Sequence, residues 1–145
     1  MVKYRYIVYS SEVDSVYFIR KILTPVLSAV LVAAILSSFN ESGYFYAVFS
    51  VSLLVFLLAG TILSYVFETY VLERIKSRPK LNQYIISISV YSFGGLLAIF
   101  MFALIQGNLL EINLLVILML GVFPALVYYH LDSSIKFVFS KIVAV

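Results

Sequence analysis

The chain contains no cysteine. That removes disulfides, thiolate nucleophiles, iron–sulfur ligation and sulfur-built zinc sites from consideration. Charge is scarce too: 12% of the 145 residues are Asp, Glu, Lys or Arg, against roughly 25% in soluble domains. There is one histidine, His130, which reads as a juxtamembrane side chain because a metal site needs companions. No Gly-rich phosphate loop, no GxSxG or HExxH motif and no paired intramembrane acid occurs. These absences predict a protein that is not an enzyme and carries no cofactor or metal.

What fills the chain instead is hydrocarbon. Hydrophobic residues make up 63% of it, and the mean hydropathy is +1.09. Four membrane spans of about 20 residues each consume nearly all the apolar length and leave no room for a soluble domain. The formal charge of +3 and pI near 9.1 invite a nucleic-acid reading. The basic residues flank apolar runs, however, and none forms an extended basic helix, so the expected partner is the lipid bilayer and not nucleic acid.

The ten Lys and Arg residues alternate along the chain. Four precede the first long apolar run (Lys3, Arg5, Arg20, Lys21), four lie between the second and third (Arg74, Lys76, Arg78, Lys80), and two follow the fourth (Lys136, Lys141). The other two connections have none. Cytoplasmic loops collect Lys and Arg, so this alternation predicts four spans with both ends of the sequence in the cytoplasm. The fold expected is all-α: a polytopic four-helix membrane bundle made of two antiparallel helical hairpins, in a cell membrane. The spans fall at about 22–39, 44–67, 84–105 and 109–129 of one integral domain, 1–145. The first reads as an uncleaved span, since its apolar run is longer than a signal-peptide core.

Local signals refine this map. Lys3-Tyr4-Arg5-Tyr6 alternates like an extended segment, and an arm lying on the membrane surface is expected. Ser11 and Asp14 form a helix-start pattern, which places the first helix from Glu12 onward. Pro25 should bend that helix. Asn40-Glu41-Ser42-Gly43 and Gln106-Gly107-Asn108 read as tight outer turns, and Pro79 ends the second helix by Arg78. Gly121-Val122-Phe123-Pro124 predicts a kink in the fourth span. Beyond His130, apolar residues at helical spacing suggest a short amphipathic helix over about 131–144, lying in the inner interface.

Two patterns inside the spans are candidate working parts. Small residues recur at four-residue spacing: Ala29 and Ala33 in span one, Gly60 in span two, Gly94 and Ala98 in span three, Gly121 and Ala125 in span four. Such rows let helix backbones approach closely, either within the bundle or, for the span-one row, in a homo-oligomer or with a membrane-protein partner. The second pattern is polar. Thr61, Ser64 and Glu68 share a face of span two, while Ser87 and Tyr91 share a face of span three. They predict a hydrogen-bonded seam between these spans that opens near Glu68; the competing account has each hydroxyl bonding its own helix backbone. No ionisable residue is expected near the bilayer midplane, with Asp132 placed beyond span four, and this argues against a proton-coupled pump. The basic loop 73–80 offers cations to anionic lipid, though its main role is topological.

The run Leu58-Ala59-Gly60-Thr61-Ile62-Leu63-Ser64-Tyr65, followed by a basic loop and two more spans, resembles small uncharacterised four-span membrane proteins of Gram-positive bacteria. The resemblance implies a plasma-membrane location and brings no functional residues with it. The leading expectation is a non-enzymatic accessory or interaction protein. The alternative is a small oligomeric channel or transporter, its vestibule lined by spans two and three.

Overall fold

A computed structural model describes residues 2–38, 44–106 and 113–143, with side chains from Tyr17 onward except those of Val116, Ile142 and Val143. The two outer turns expected at 40–43 and 107–108 lie outside the described residues. Four helical rods account for nearly everything else. The first, α1, is Val2–Ser37; α2 is Tyr44–Ile75; α3 is Lys80–Gln106; α4 begins with Leu114–Ile117 and runs through Leu118–Val122 into Phe123–Val143. Each contains a segment long and apolar enough to cross a membrane: Tyr17–Ser37, Tyr44–Ile75, Lys80–Ile105 and Leu118–Lys141. This is a multi-pass membrane protein by the length and composition of its helices. At 1.5 Å per residue the 32 residues of α2 extend about 48 Å, well beyond a hydrocarbon core of roughly 30 Å.

The helix boundaries differ from the sequence reading in three places. Helix α1 is continuous from Val2, with neither an extended segment over Lys3–Tyr6 nor a start at Glu12. An extended arm needs a strand partner for its backbone groups, and a helix satisfies them internally. Helix α3 begins at Lys80, a turn earlier than expected, directly after Pro79. At the other end, Phe123–Val143 is one unbroken helix, so the described part of 131–144 continues the span-four helix and does not form a separate one. No Gly or Pro occurs between Ala125 and Val143, and Asp132 is therefore carried on the span-four helix itself.

Among the described residues, wide π turns mark three positions: Phe56–Gly60 and Phe67–Val71 in α2, and Leu118–Val122 in α4. The last lies immediately before Pro124, which cannot donate to the carbonyl four residues back; a widened turn accommodates that missing bond. Asn113 starts α4, its side chain accepting from Leu115 N at 3.2 Å. In the α2–α3 connection, Arg78 N donates to Ile75 O at 2.9 Å. The Gln83 side-chain amide donates to the carbonyls of Lys76 (3.1 Å) and Arg78 (2.8 Å), groups left without helical partners.

The bundle closes on small residues. Helix α1 packs against α2 and α4, and α3 packs chiefly on α4. Ala29 and Ala33 are fully buried, so the span-one row is taken up inside the bundle. A Cβ added at Gly95 would come 2.2 Å from the Gly121 carbonyl, and one at Gly60 2.9 Å from the Tyr128 ring. Gly94 lies against Leu63, Ala125 beside Gly95, and Ala98 is half-buried on the same helix. Backbone contact of this kind suits lipid, where hydrophobicity alone does not drive helices together. Gly95→Val is expected to push α3 away from α4 and lower stability by about 1–3 kcal/mol. A thermal melt in detergent measures this, with Phe93→Val on the exposed face as the control; equal midpoints for the two variants would contradict the packing.

Candidate functional site

At the end of the bundle that carries the α2–α3 connection, five charged side chains from three helices meet. On α1, Arg20 and Lys21 start a polar stripe that continues at helical spacing through Thr24 and Ser28, all four buried. On α2, Ser64 and Glu68 are one turn apart, with Glu68 in the wide turn Phe67–Val71. On α4, Asp132 and Lys136 are likewise one turn apart.

The contacts are specific. Arg20 Nη2 donates to Glu68 Oε1 at 2.5 Å, and its Nε stands 3.5 Å from Asp132 Oδ1. Lys21 Nζ donates to Ser64 Oγ at 2.5 Å and lies 3.2 Å from Glu68 Oε2. Ser64 donates to Asp132 Oδ2 at 3.0 Å, and Thr24 donates to Oδ1 at 3.4 Å. From the rim, Lys136 donates to Glu68 at 3.3 Å. Ser64 thus accepts from Lys21 and donates to Asp132, and Tyr91 of α3 lies close by. The exposed Tyr17 ring lies below both cations, 5.2 Å from the Arg20 guanidinium and 5.3 Å from Lys21 Nζ.

Charge balance explains why these groups tolerate burial. Arg20, Lys21 and Asp132 are only 6%, 7% and 5% exposed. An isolated ion in such a place costs several kcal/mol even after relaxation. The two cations of α1 offset the two carboxylates of α2 and α4, and the hydroxyls of Ser64 and Thr24 donate to Asp132. Lys136, half exposed, adds one positive charge at the edge.

Beside the cluster, a cleft of about 240 Å³ opens between α2, α3 and α4. Its inner wall includes Glu68, Asp132 and Ser87, and Lys80, Lys136 and Ser133 also line it. Phe67, Tyr91 and Tyr129 close its apolar side. Behind them the aromatic stack continues: Phe67 to Tyr91 at 5.4 Å, Tyr91 to Tyr128 at 6.3 Å, and Tyr128 to Phe56 at 5.5 Å. The recess is therefore one-sided. Tyr84 and His130 join α3 to α4 near the cleft, with 3.2 Å between hydroxyl and Nε2, while His130 Nδ1 bonds Leu126 O at 2.8 Å.

Of the residues expected in the polar seam, Ser64 and Tyr91 come together, and Glu68 lies one turn from Ser64 in the charge cluster. Ser87 instead donates to Gln83 O at 2.7 Å, and Thr61 to Phe56 O at 3.4 Å, each within its own helix. Most of the cross-helix bonds run from α2 to α1 and α4, with Tyr84–His130 the link to α3. Arg20, Lys21, Thr24 and Asp132 are the members that sequence reasoning missed. Arg20 and Lys21 had been counted as flanking charge; their helical spacing with Thr24 and Ser28 is the signal that marks an inward face. Among the described residues, the buried hydroxyls of Ser28 and Tyr128 have no hydrogen-bond partner, Tyr128 lying beside Thr61. No three His, Cys, Asp or Glu side chains among the described residues stand together as metal ligands.

Removing the shared acceptor should be costly. Asp132→Ala leaves Ser64 and Thr24 without their acceptor and Arg20 with Glu68 alone, and is expected to cost about 3–5 kcal/mol. Lys136→Gln, at the half-exposed edge, is expected to cost less than about 1 kcal/mol. Thermal midpoints of the purified protein decide, and equal losses would contradict the buried cluster.

Compared with known protein families, curated proteins and solved structures, the chain matches none.

Proposed function

We propose that this chain is a non-enzymatic accessory or interaction protein of a cell membrane, with both ends of the sequence cytoplasmic and the cleft as its recognition element. The observation that carries this reading is the one-sided recess. It opens at the end of the bundle where Arg74, Lys76, Arg78 and Lys80 connect α2 to α3, and a stack of aromatic rings backs it. Positive charge collects on the cytoplasmic side of membranes, which supports an inward-facing mouth. Such a recess suits binding from one side better than passage. Its polar groups are held by cross-helix ion pairs, so the site is organised before anything enters it.

The alternative, a small oligomeric channel or transporter, draws support from the charge cluster. Ionisable residues within membrane-spanning helices commonly mark ion or proton routes. Passage through the bundle would require the Phe67–Tyr91–Tyr128–Phe56 stack to part.

One pair of measurements separates these readings. A photoreactive group placed at Ser133 should trap a partner protein or a second copy in native membranes, and trapping neither counts against the accessory reading. Reconstituted vesicles should show no saturable solute flux; a flux abolished by Ser87→Leu would favour the transporter. The proposed orientation requires a tag at Val145 to be protected from protease added outside intact cells.

A further inference from the structure

We propose that the cleft between α2, α3 and α4 binds a phosphate-bearing anion, either the headgroup of an anionic phospholipid or free phosphate. The inference rests on the cleft being the recognition element and names the chemistry it takes.

Glu68 and Asp132 face the cleft, yet both are met from the opposite side by Arg20 and Lys21 of α1. Neither carboxylate is left as an unmatched negative charge. Lys136 approaches Glu68 as a third cation, and Lys80 lines the same cleft from the start of α3. Among the described residues, Lys80 has no acidic partner within ion-pair distance. The cleft thus carries two cations beyond neutrality, one on each of two helices that flank it.

The kind of cation narrows the ligand. Lysine is a compact point charge that serves phosphate well, whereas the planar fork of arginine suits carboxylate pairs. The cluster's arginine is engaged with Glu68 and Asp132, and both lysines of the cleft are solvent-exposed. The exposed Ser133 hydroxyl adds a neutral hydrogen-bonding group. Size points the same way. About 240 Å³ is below the roughly 300–1,000 Å³ of pockets for drug-sized molecules, and suits a headgroup-sized ligand. The cleft also lies near one end of the spans, bordered by Tyr84 and Tyr129, where amphipathic rings favour the headgroup layer.

The test uses the full chain in maltoside micelles, which carry neither charge nor phosphate, titrated with phosphatidylglycerol in one arm and inorganic phosphate in the other. The readout is the thermal midpoint, followed to saturation. A rise with phosphatidylglycerol alone identifies the lipid headgroup, and a rise with inorganic phosphate identifies the free anion. Near anionic lipid each lysine contributes about 1 kcal/mol, so Lys80→Gln with Lys136→Gln should weaken the response about thirtyfold. Lys80→Gln alone leaves the Glu68 contact intact and should still weaken it several-fold; Lys141→Gln, outside the cleft, should not. No response in either arm, or an unchanged response in the double variant, overturns the proposal. The partner-trapping experiment at Ser133 is independent: its failure would count against the accessory reading while leaving the titration standing, and the converse also holds.

Discussion

Hydrocarbon cannot solvate an ion, and the arrangement of this protein follows from that constraint. Once Arg20 and Lys21 are placed on an apolar helix facing inward, neighbouring helices must supply carboxylates at matching depth. Glu68 and Asp132 do so from α2 and α4. The result fixes rotation as well as proximity, because only one face of each helix carries the required group. Three helices are tied together at one end by interactions that have few substitutes in lipid. The fourth helix, α3, joins them through Tyr84 against His130, through the Tyr91 ring and through close packing on α4.

That division of labour shapes the rest of the bundle. Where polar groups are absent, contact comes from the absence of side chain, as at Gly95 against Gly121. Between these two regimes lies a layer of rings: Phe56, Phe67, Tyr91, Tyr128 and Tyr129. Phe67, Tyr91 and Tyr129 form the apolar wall of the cleft, and Tyr128 and Phe56 continue the stack behind them. A cluster already neutralised from α1 leaves the lysines facing the cleft as its distinctive charge. Structure and candidate recognition therefore share the same residues, with Glu68 serving the ion pairs on one side and lining the recess on the other.

Much of the fold was legible in the sequence. Four apolar runs predicted four long helices, and Pro79 located the break between α2 and α3. Ser64, Glu68 and Tyr91 stood out because their spacing put polar atoms on one face of otherwise apolar helices. The rest was obscured by an assumption about charge. Counting Lys and Arg by loop treats each as a flank, yet Arg20 and Lys21 belong to the inward face that continues through Thr24 and Ser28. Asp132 was hidden for a related reason. Ending span four near Tyr129 put it outside, whereas an unbroken helix from Phe123 to Val143 carries it inward. Long-range pairing such as Arg20 with Glu68 or Ser64 with Asp132 has no local signature at all; it emerges only when the helices are set side by side. The N-terminal alternation misled in the opposite direction, because period-two polarity argues for a strand only where another strand can pair with it.

The pairing of Arg20 with Glu68 is the most direct point of attack on this account. A double-mutant cycle with Arg20→Met, Glu68→Leu and the combined variant, read as unfolding free energy in detergent, isolates their interaction. The account predicts strong destabilisation by each single change, recovery of much of the loss in the double variant, and a coupling energy of about 1–3 kcal/mol. Additive losses, with coupling near zero, would mean that α1 does not hold its cations inside the bundle, and the charge cluster would not exist as described.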